Sequence, residues 1–212
     1  MEVAADALDA DAAYRLLVGI VVPRPIAWIT TLSSSGLVNA APFSCYTFVC
    51  NDPPMLAINI GRREQALKDT ARNIEHSGEF VVNVVTEDLV DMMHASSAEC
   101  APDISEVETL QLDVCPSQVI GPPRLKRSPI NLECRLERRL ELGRLRNSLV
   151  FGQIVHFHVA DEIYEKGRVD TEKLRPIARL AGRNYAKLTS IVTMPAARLP
   201  LSSVKTKGEC PA

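Results

Sequence analysis

Two polar clusters, each beside an apolar segment, contain the residues best suited to hold a ligand. In the segment 39–47, small residues would let the backbone approach a bound molecule, and Asn39 and Ser44 could form hydrogen bonds with it. The second cluster runs from Lys68 to Thr70, at the start of a predicted helix. Helix N-termini present free N–H groups and a partial positive charge, which favours a phosphate. Lys68 adds a full charge and Thr70 a hydroxyl, so this cluster predicts an anion site.

Both clusters also have a purely structural interpretation. Asp69 and Thr70 could simply cap the helix, since such side chains accept hydrogen bonds from its first N–H groups. Ser44 and Thr47 could be ordinary strand residues that face solvent. Taken alone, neither cluster establishes a ligand.

The composition excludes several classes of protein. The chain has 212 residues, of which 46% are hydrophobic and 24% charged, as in an ordinary globular protein. A net charge of -2 provides no global basic field, so neither nucleic acid nor a membrane surface is expected as a partner. No apolar run approaches the roughly 18 residues that a membrane-spanning helix needs.

The cysteines and the N-terminus indicate the cellular location. The cysteines form no CxxC pair and no zinc-ligand spacing with the four histidines, so no metal site is predicted. They are Cys45, Cys50, Cys100, Cys115, Cys134 and Cys210. The first residues lack the basic-then-apolar pattern of a signal peptide. We therefore expect a cytoplasmic protein with reduced thiols.

Period-two runs of β-branched and apolar residues predict most of the elements that position these clusters. The predicted strands are Ile26–Leu32, Leu37–Ala40, Met55–Ile60, Phe80–Val85, Leu132–Leu142 and Leu149–Val159. The first two form a hairpin across the turn 33–36. The predicted helices are Asp9–Leu17, Lys68–His76 with Gly78 as its C-terminal cap, and Glu87–His94. The segment Ala98–Pro129 is expected to be mostly loop.

These elements predict a mainly β protein, a barrel with a few appended helices. The segment Leu174–Leu188 is expected to end in a helix. Residues 1–188 form one domain in this interpretation, and residues 189–212 form a poorly ordered tail. No GxGxxG follows a strand and no P-loop pattern occurs, so a doubly wound nucleotide-binding fold is not expected.

Several ordered motifs resemble the flavin reductase-like, FMN-binding split-barrel family. The resemblance covers about residues 14–188, nearly the whole chain. Its motifs are 23–31 (PRPIAWITT), 39–44 (NAAPFS), 52–54 (DPP), 68–74 (KDTARNI), 78–84 (GEFVVNV), 152–155 (GQIV) and 179–185 (RLAGRNY).

The resemblance implies a six-stranded antiparallel Greek-key barrel, a homodimer, and noncovalent FMN near the subunit interface. It also implies the cofactor-binding residues. Ser44, Lys68 and Thr70 would hold the phosphate. Cys45, Tyr46 and Thr31 would lie along the ribityl chain and the isoalloxazine ring, with Asn39 nearby. Two later segments would approach the ring with Tyr185 and with Ser96 (or Ser97).

By the same resemblance, the chain is an FMN-dependent oxidoreductase that transfers hydride from NAD(P)H to flavin or to a small-molecule acceptor. No catalytic side chain is expected, because the flavin carries the chemistry. Two alternatives stay open: a flavoredoxin-like electron carrier reduced by a redox partner protein, and a non-catalytic FMN-binding module.

One position departs from the family pattern. Many nicotinamide-using relatives have a histidine five residues before the glycine that corresponds to Gly152, and Asn147 stands there in this chain. This difference weakens the expectation of direct NAD(P)H oxidation and leaves reduction by another donor open.

Overall fold

Fifteen strands form among the described residues, and the longer ones lie where β-branched and apolar residues alternate along the sequence. The structure is a computed structural model, and it describes residues 2–197. In chain order the strands are β1 (Ala27–Leu32), β2 (Val38–Phe43), β3 (Tyr46–Asn51), β4 (Pro54–Ile60), β5 (Arg62–Arg63), β6 (Ala66–Leu67), β7 (Glu79–Val84), β8 (Val114–Cys115), β9 (Arg124–Leu125), β10 (Ile130–Leu142), β11 (Asn147–Val159), β12 (Tyr164–Glu165), β13 (Arg168–Val169), β14 (Ile177–Arg179) and β15 (Tyr185–Lys187).

The helices begin and end at recognisable signals. The Asp9 side chain accepts a hydrogen bond from the Ala12 N–H (2.7 Å) at the start of the first helix, and Gly78 ends the second with φ of 71°. The α-helices are α1 (Ala10–Ile20), α2 (Asp69–Ser77), α3 (Val90–Ala95), α4 (Glu106–Thr109) and α5 (Thr171–Leu174), and 3-10 turns span Ala5–Ala7, Glu87–Leu89 and Asp161–Ile163.

The main sheet has seven strands in the order β2-β1-β7-β10-β11-β4-β3, and every neighbouring pair is antiparallel. Its two edge strands, β2 and β3, are consecutive in the chain, so the sheet curls until its edges approach each other. The Asn59 N–H of β4 donates to the Cys45 carbonyl at 2.8 Å, which extends the β3–β4 ladder to the turn between β2 and β3. The mainly β split-barrel fold is therefore confirmed, with seven strands in the sheet instead of six.

Two hydrophobic clusters cover the two faces of β1. The inner cluster fills the barrel, and α2 adds Ala71 and Ile74 to it. Its other buried members are Ala27, Ile29, Phe43, Leu56, Ile58, Ile60, Phe80, Val82, Cys134 and Val150. The outer cluster lies where α3 and α4 contact β2, and it contains Ile26, Trp28, Ala40, Val85, Leu89, Met93, Val107, Leu112, Leu125 and Ile177.

The sequence interpretation did not predict α4, α5 and most of the short strands, and it also differs from the structure at two larger features. Strand β3 was not predicted because two adjacent apolar residues, Phe48 and Val49, break the alternation of apolar and polar residues. Both side chains are exposed in the structure. The helix expected within Leu174–Leu188 is wrong, because this segment forms the β14–β15 hairpin. The Ile177 N–H donates to the Val85 carbonyl at 3.1 Å, so tertiary hydrogen bonds override the local helical pattern.

The end of the described chain is irregular. Residues 188–197 contain no helix or strand, and the rest of the expected tail, 198–212, lies outside the described residues. Among residues 2–197, none of the helices has both the length and the apolarity needed to cross a bilayer.

Candidate functional site

A cleft of about 650 Å³ lies against α1, the start of α2, the end of α3 and the turn that follows β2. The residues that line it include five that the sequence predicted as ligand-binding residues: Asn39, Ser44, Lys68, Thr70 and Ser96. The fold thus brings the two predicted polar clusters together on one cavity, although they are far apart in the chain. The volume is in the range of ordinary small-molecule sites.

The first turn of α2 presents unpartnered donors to this cleft. Lys68 is the N-cap residue, and no side chain caps the helix. The first N–H groups of an α-helix have no intrahelical acceptor, so those of Asp69 and Thr70 are available to a ligand. Lys68 is exposed and has no ion-pair partner among the described side chains. This end of the cleft can therefore bind an anion.

Arg24 stabilises another part of the cleft wall. It is buried, and its guanidinium donates to the carbonyls of Val18 (2.8 Å), Val21 (2.6 Å) and Leu180 (3.0 Å). Its Nε also donates to Ser44 Oγ at 3.4 Å. Because the Ser44 hydroxyl accepts this bond, its own hydrogen is available to donate into the cleft.

Beneath the cleft, Asn39 is the centre of a buried polar network. Its Oδ1 accepts from the hydroxyls of Thr70 (2.9 Å) and Thr31 (3.3 Å), and its Nδ2 donates to Glu106 Oε1 (3.0 Å) and Oε2 (2.9 Å). Asn73 Nδ2 donates to Thr31 Oγ1 at 3.0 Å. Since the Thr70 hydroxyl is donated to Asn39, the donor that Thr70 offers to a ligand is its backbone N–H.

Four predicted residues do not line the cleft. Thr31 is fully buried below it. Cys45 is exposed at the turn into β3. Tyr46 lines a separate apolar groove of about 420 Å³, and burial, with a smaller contribution from Cys134, raises its pKa to about 12. Tyr185 lies behind the cleft, where its hydroxyl contacts Arg179 Nη1 and His94 Nδ1, both at 2.8 Å.

Ser96 does line the cleft, but its hydroxyl is already engaged. Its Oγ donates to the Met93 carbonyl at 2.8 Å and the residue is buried. Ser97 follows the same pattern, donating to the His94 carbonyl at 2.6 Å. Both side chains therefore shape the cleft wall more than they offer donors to it.

The charge of the cleft is mixed, with five cationic and four anionic side chains. Two of its cations are paired, Arg72 with Asp69 and Arg63 with Glu99 at 3.0 Å. The cations that line it are Arg24, Arg63, Lys68, Arg72 and Arg179, and the anions are Glu64, Asp69, Glu99 and Glu106. Within the part of the chain that the structure describes, no group of three or more His, Cys, Asp or Glu side chains is arranged to hold a metal ion.

Sequence reasoning missed three residues that shape the site: Arg24, Arg179 and Glu106. Arg24 had a visible signal, because it stands between two prolines in the segment 23–25, where the chain cannot be helical. Arg179 is part of the motif 179–185 that carries the family resemblance. Glu106 had no signal, since only the tertiary fold brings it to the cleft.

One family model matches most of the chain, and similar proteins and structures span nearly all of it. The family model described as "Flavin reductase like domain" matches residues 19–178. An uncharacterized protein of Halalkalibacterium halodurans is 44% identical over 192 residues, which cover 88% of this chain and 92% of that protein.

Two solved structures are similar over nearly their whole length. Nitrilotriacetate monooxygenase component B from Bacillus cereus has a TM-score of 0.89 at 37% identity, covering 92% of this chain and 98% of that one. The 2-nitrobenzoate 2-nitroreductase of Pseudomonas fluorescens has a TM-score of 0.86 at 35% identity, covering 94% and 98%.

Proposed function

Because the chain belongs to the flavin reductase-like family, we propose that its cleft binds FMN and that the protein is a flavin-dependent oxidoreductase. In this proposal hydride passes from NADH or NADPH to the flavin, and then to free flavin or a small acceptor. The observation that carries it is the convergence of an uncapped helix start, Lys68 and Ser44 on one cleft.

The donors around the cleft fit a phosphorylated cofactor. The free N–H groups of Asp69 and Thr70, the Lys68 ammonium and the Ser44 hydroxyl are all suited to a phosphate. Ala41 and Pro42 also line the cleft and have short side chains. They leave room for a flat ring system beside the backbone of β2.

Bound flavin would supply the redox chemistry, since it accepts hydride and passes electrons on. The protein's own residues bind and orient it. Lys68 and the start of α2 would hold the phosphate, and Arg24 would keep Ser44 in place through its bond to Oγ. We assign the role of general acid or nucleophile to none of the described side chains, because hydride transfer to and from flavin needs neither.

The absorption spectrum of the purified protein, followed by anaerobic addition of NADH or NADPH, tests the proposal. We expect a flavin spectrum with an FMN stoichiometry of about one per chain, and bleaching on addition of one nucleotide. Protein that takes up no FMN would overturn the binding proposal. FMN-loaded protein that neither nucleotide bleaches would overturn the hydride-transfer proposal alone.

Asn147 favours a second candidate, an electron-carrying flavoprotein reduced by a protein donor. It stands where many nicotinamide-using relatives have histidine, and it is not among the residues that line the cleft. This candidate predicts slow bleaching by nicotinamide and fast bleaching by a reduced ferredoxin. The same anaerobic experiment separates the two candidates.

The two similar structures suggest which acceptors to assay. One is a component of a monooxygenase and the other is a nitroreductase, by their names. We infer that a nitroaromatic compound and free FMN are the acceptors to compare first. Turnover with the nitroaromatic but not with free FMN would make the protein a nitroreductase; the reverse would make it a supplier of reduced flavin.

We infer also that the chain forms a homodimer. Exposed apolar side chains support this, among them Tyr14 and Leu17 of α1 and Phe48 of β3, which is 79% exposed. Tyr14 also lines the cleft, so a second copy on this face would add to the wall of the site. Gel filtration that shows a monomer with full FMN affinity would refute this inference.

A further inference from the structure

Glu106 is a buried carboxylate at the cleft with no cation beside it. It is 7% exposed and forms no ion pair with any residue in the range 2–197. Its three hydrogen bonds come from two neutral groups on β2: Asn39 Nδ2, which donates to both oxygens, and the Ala40 N–H at 3.1 Å. Burying a charge without a counter-charge costs free energy, so the hydrogen bonds from Asn39 and Ala40 are needed to stabilise Glu106.

The carboxylate dictates how the Asn39 amide is oriented. An ionised carboxylate only accepts hydrogen bonds, so the Nδ2 end of Asn39 must face it. Asn39 Oδ1 must then point the other way, towards Thr31 and Thr70. A carboxamide at position 106 could donate as well as accept, and it would allow Asn39 to adopt either orientation.

This orientation reaches the start of α2. Thr70 is the second residue of that helix, is 1% exposed, and donates its hydroxyl to Asn39 Oδ1 at 2.9 Å. With the amide reversed, the Thr70 hydroxyl would meet an NH₂ group instead of an acceptor. The first turn of α2, whose free N–H groups face the cleft, would lose this attachment to β2.

We propose that Glu106 is a positioning residue for the phosphate end of the cleft, acting through Asn39 and Thr70. The proposal rests on the proposed function, since it assumes that the start of α2 binds the flavin phosphate. It assigns a role to α4, the short helix of the segment 98–129: α4 carries Glu106 to the floor of the site.

The test compares FMN dissociation constants, from quenching of flavin fluorescence, for Glu106→Gln, Thr70→Val and the double variant. We expect each single variant to weaken FMN binding about five- to tenfold, the effect of one hydrogen bond. The double variant should be no weaker than the weaker single, because both break the same chain of contacts. Thr70→Ser keeps the hydroxyl and should bind as the wild type does.

The sign of the effect separates positioning from charge. Removal of a negative charge near a phosphate would by itself tighten FMN binding, so weaker binding by Glu106→Gln cannot come from charge alone. The matched control is Glu108→Gln, which removes the same charge from an exposed position of the same helix. Its FMN dissociation constant should stay within about twofold of that of the wild type.

If Glu106→Gln fails to fold, Glu106→Asp replaces it. Glu106→Asp keeps the charge but is too short to reach Asn39, and we expect the same weakening.

Three results would overturn the proposal. They are an unchanged or tighter FMN dissociation constant in Glu106→Gln, a lower melting temperature with unchanged affinity, and effects that multiply in the double variant. Wild-type protein that binds no FMN would instead refute the proposed function, so the two failures are distinguishable.

Discussion

Arg24 and Arg179 are hydrogen-bonded to each other through their backbones in both directions. The Arg24 N–H donates to the Arg179 carbonyl at 3.0 Å, and the Arg179 N–H donates to the Arg24 carbonyl at 2.8 Å. The segment that enters β1 is thereby joined to the C-terminal hairpin. Both side chains also line the cleft, so two distant parts of the chain form one wall.

Arg24→Ala should destabilise the protein by roughly 2–3 kcal/mol, since it leaves the carbonyls of Val18, Val21 and Leu180 without their donor. Urea denaturation in the absence of flavin measures this. Arg24→Lys should recover only part of the loss, because an ammonium cannot reproduce the guanidinium fork. The control, Arg183→Ala at an exposed position, should change stability by less than about 0.5 kcal/mol. An equal loss in both alanine variants would contradict the role of Arg24.

Lys68→Ala should weaken FMN binding by roughly 1.5–3 kcal/mol, because it removes a charge-assisted hydrogen bond to the phosphate. Affinity for riboflavin, which lacks the phosphate, should not change. Fluorescence titration with both flavins measures this, and Lys126→Ala, at an exposed position outside the cleft, is the matched control. Unchanged FMN affinity would show that the start of α2 is only structural.

Stability should depend on pH through Glu133. Its side chain is fully buried, and it accepts from the N–H groups of Gln118 (2.7 Å) and Val119 (2.9 Å) and contacts His158 Nε2 at 2.5 Å. Burial acts to raise the pKa of Glu133, but these hydrogen bonds outweigh it and hold the pKa below the ordinary value of 4.5. Arg124 Nε lies 4.0 Å from Glu133 Oε1, and the His156 ring packs against the His158 ring.

A carboxyl group whose pKa is lowered by folding stabilises the folded state fully above its ordinary pKa, and loses that contribution as the pH falls through the folded value. The melting temperature of the wild type should therefore drop as the pH is lowered from about 5. Glu133→Gln should melt lower than the wild type at pH 7 and show a smaller further drop in acid. Parallel pH profiles for the two proteins, measured by calorimetry, would show that Glu133 does not contribute.

Gly152→Ala should destabilise the barrel by about 1–3 kcal/mol. A Cβ at this position would overlap the ring of Phe80, with Cε1 at 2.9 Å, and Phe80 is fully buried in the inner cluster. Gly61→Ala is the control, since its Cβ would meet nothing closer than Asn147 Oδ1 at 3.9 Å. Phe80→Leu should restore part of the stability of Gly152→Ala; a melting temperature equal to that of the wild type in Gly152→Ala would contradict the overlap.

The parts of the fold that could be predicted from the sequence are those with strong local signals. Helix α2 was predicted with Gly78 as its C-terminal cap, and Gly78 adopts the left-handed conformation that ends the helix. Strands β10 and β11 were predicted by their alternation, though each extends beyond the predicted range. Strand β3 could not be predicted because Phe48 and Val49 are adjacent apolar residues and break the alternation. The β14–β15 hairpin could not be predicted because its hydrogen bond from the Ile177 N–H to the Val85 carbonyl depends on a distant segment.

The residues of the candidate site were also predictable only where the sequence carried a signal. Asn39, Ser44 and Lys68 could be assigned to a binding site from residue type and family resemblance, and the structure places all three at the cleft. Their individual roles toward FMN stay predictions. Glu106 could not be identified, because a charged residue in a loop-rich segment gives no sign that the fold will bury it.

The strand order has a consequence for how the chain acquires its structure. Within the main sheet, three hairpins, β1–β2, β3–β4 and β10–β11, join neighbours in sequence. The pairs β1–β7 and β4–β11 instead join segments that are far apart. Long loops must close before those ladders are stabilised, which costs entropy and slows two-state barrels to the millisecond-to-second range. We therefore expect refolding to be slow and limited by the docking of preformed hairpins.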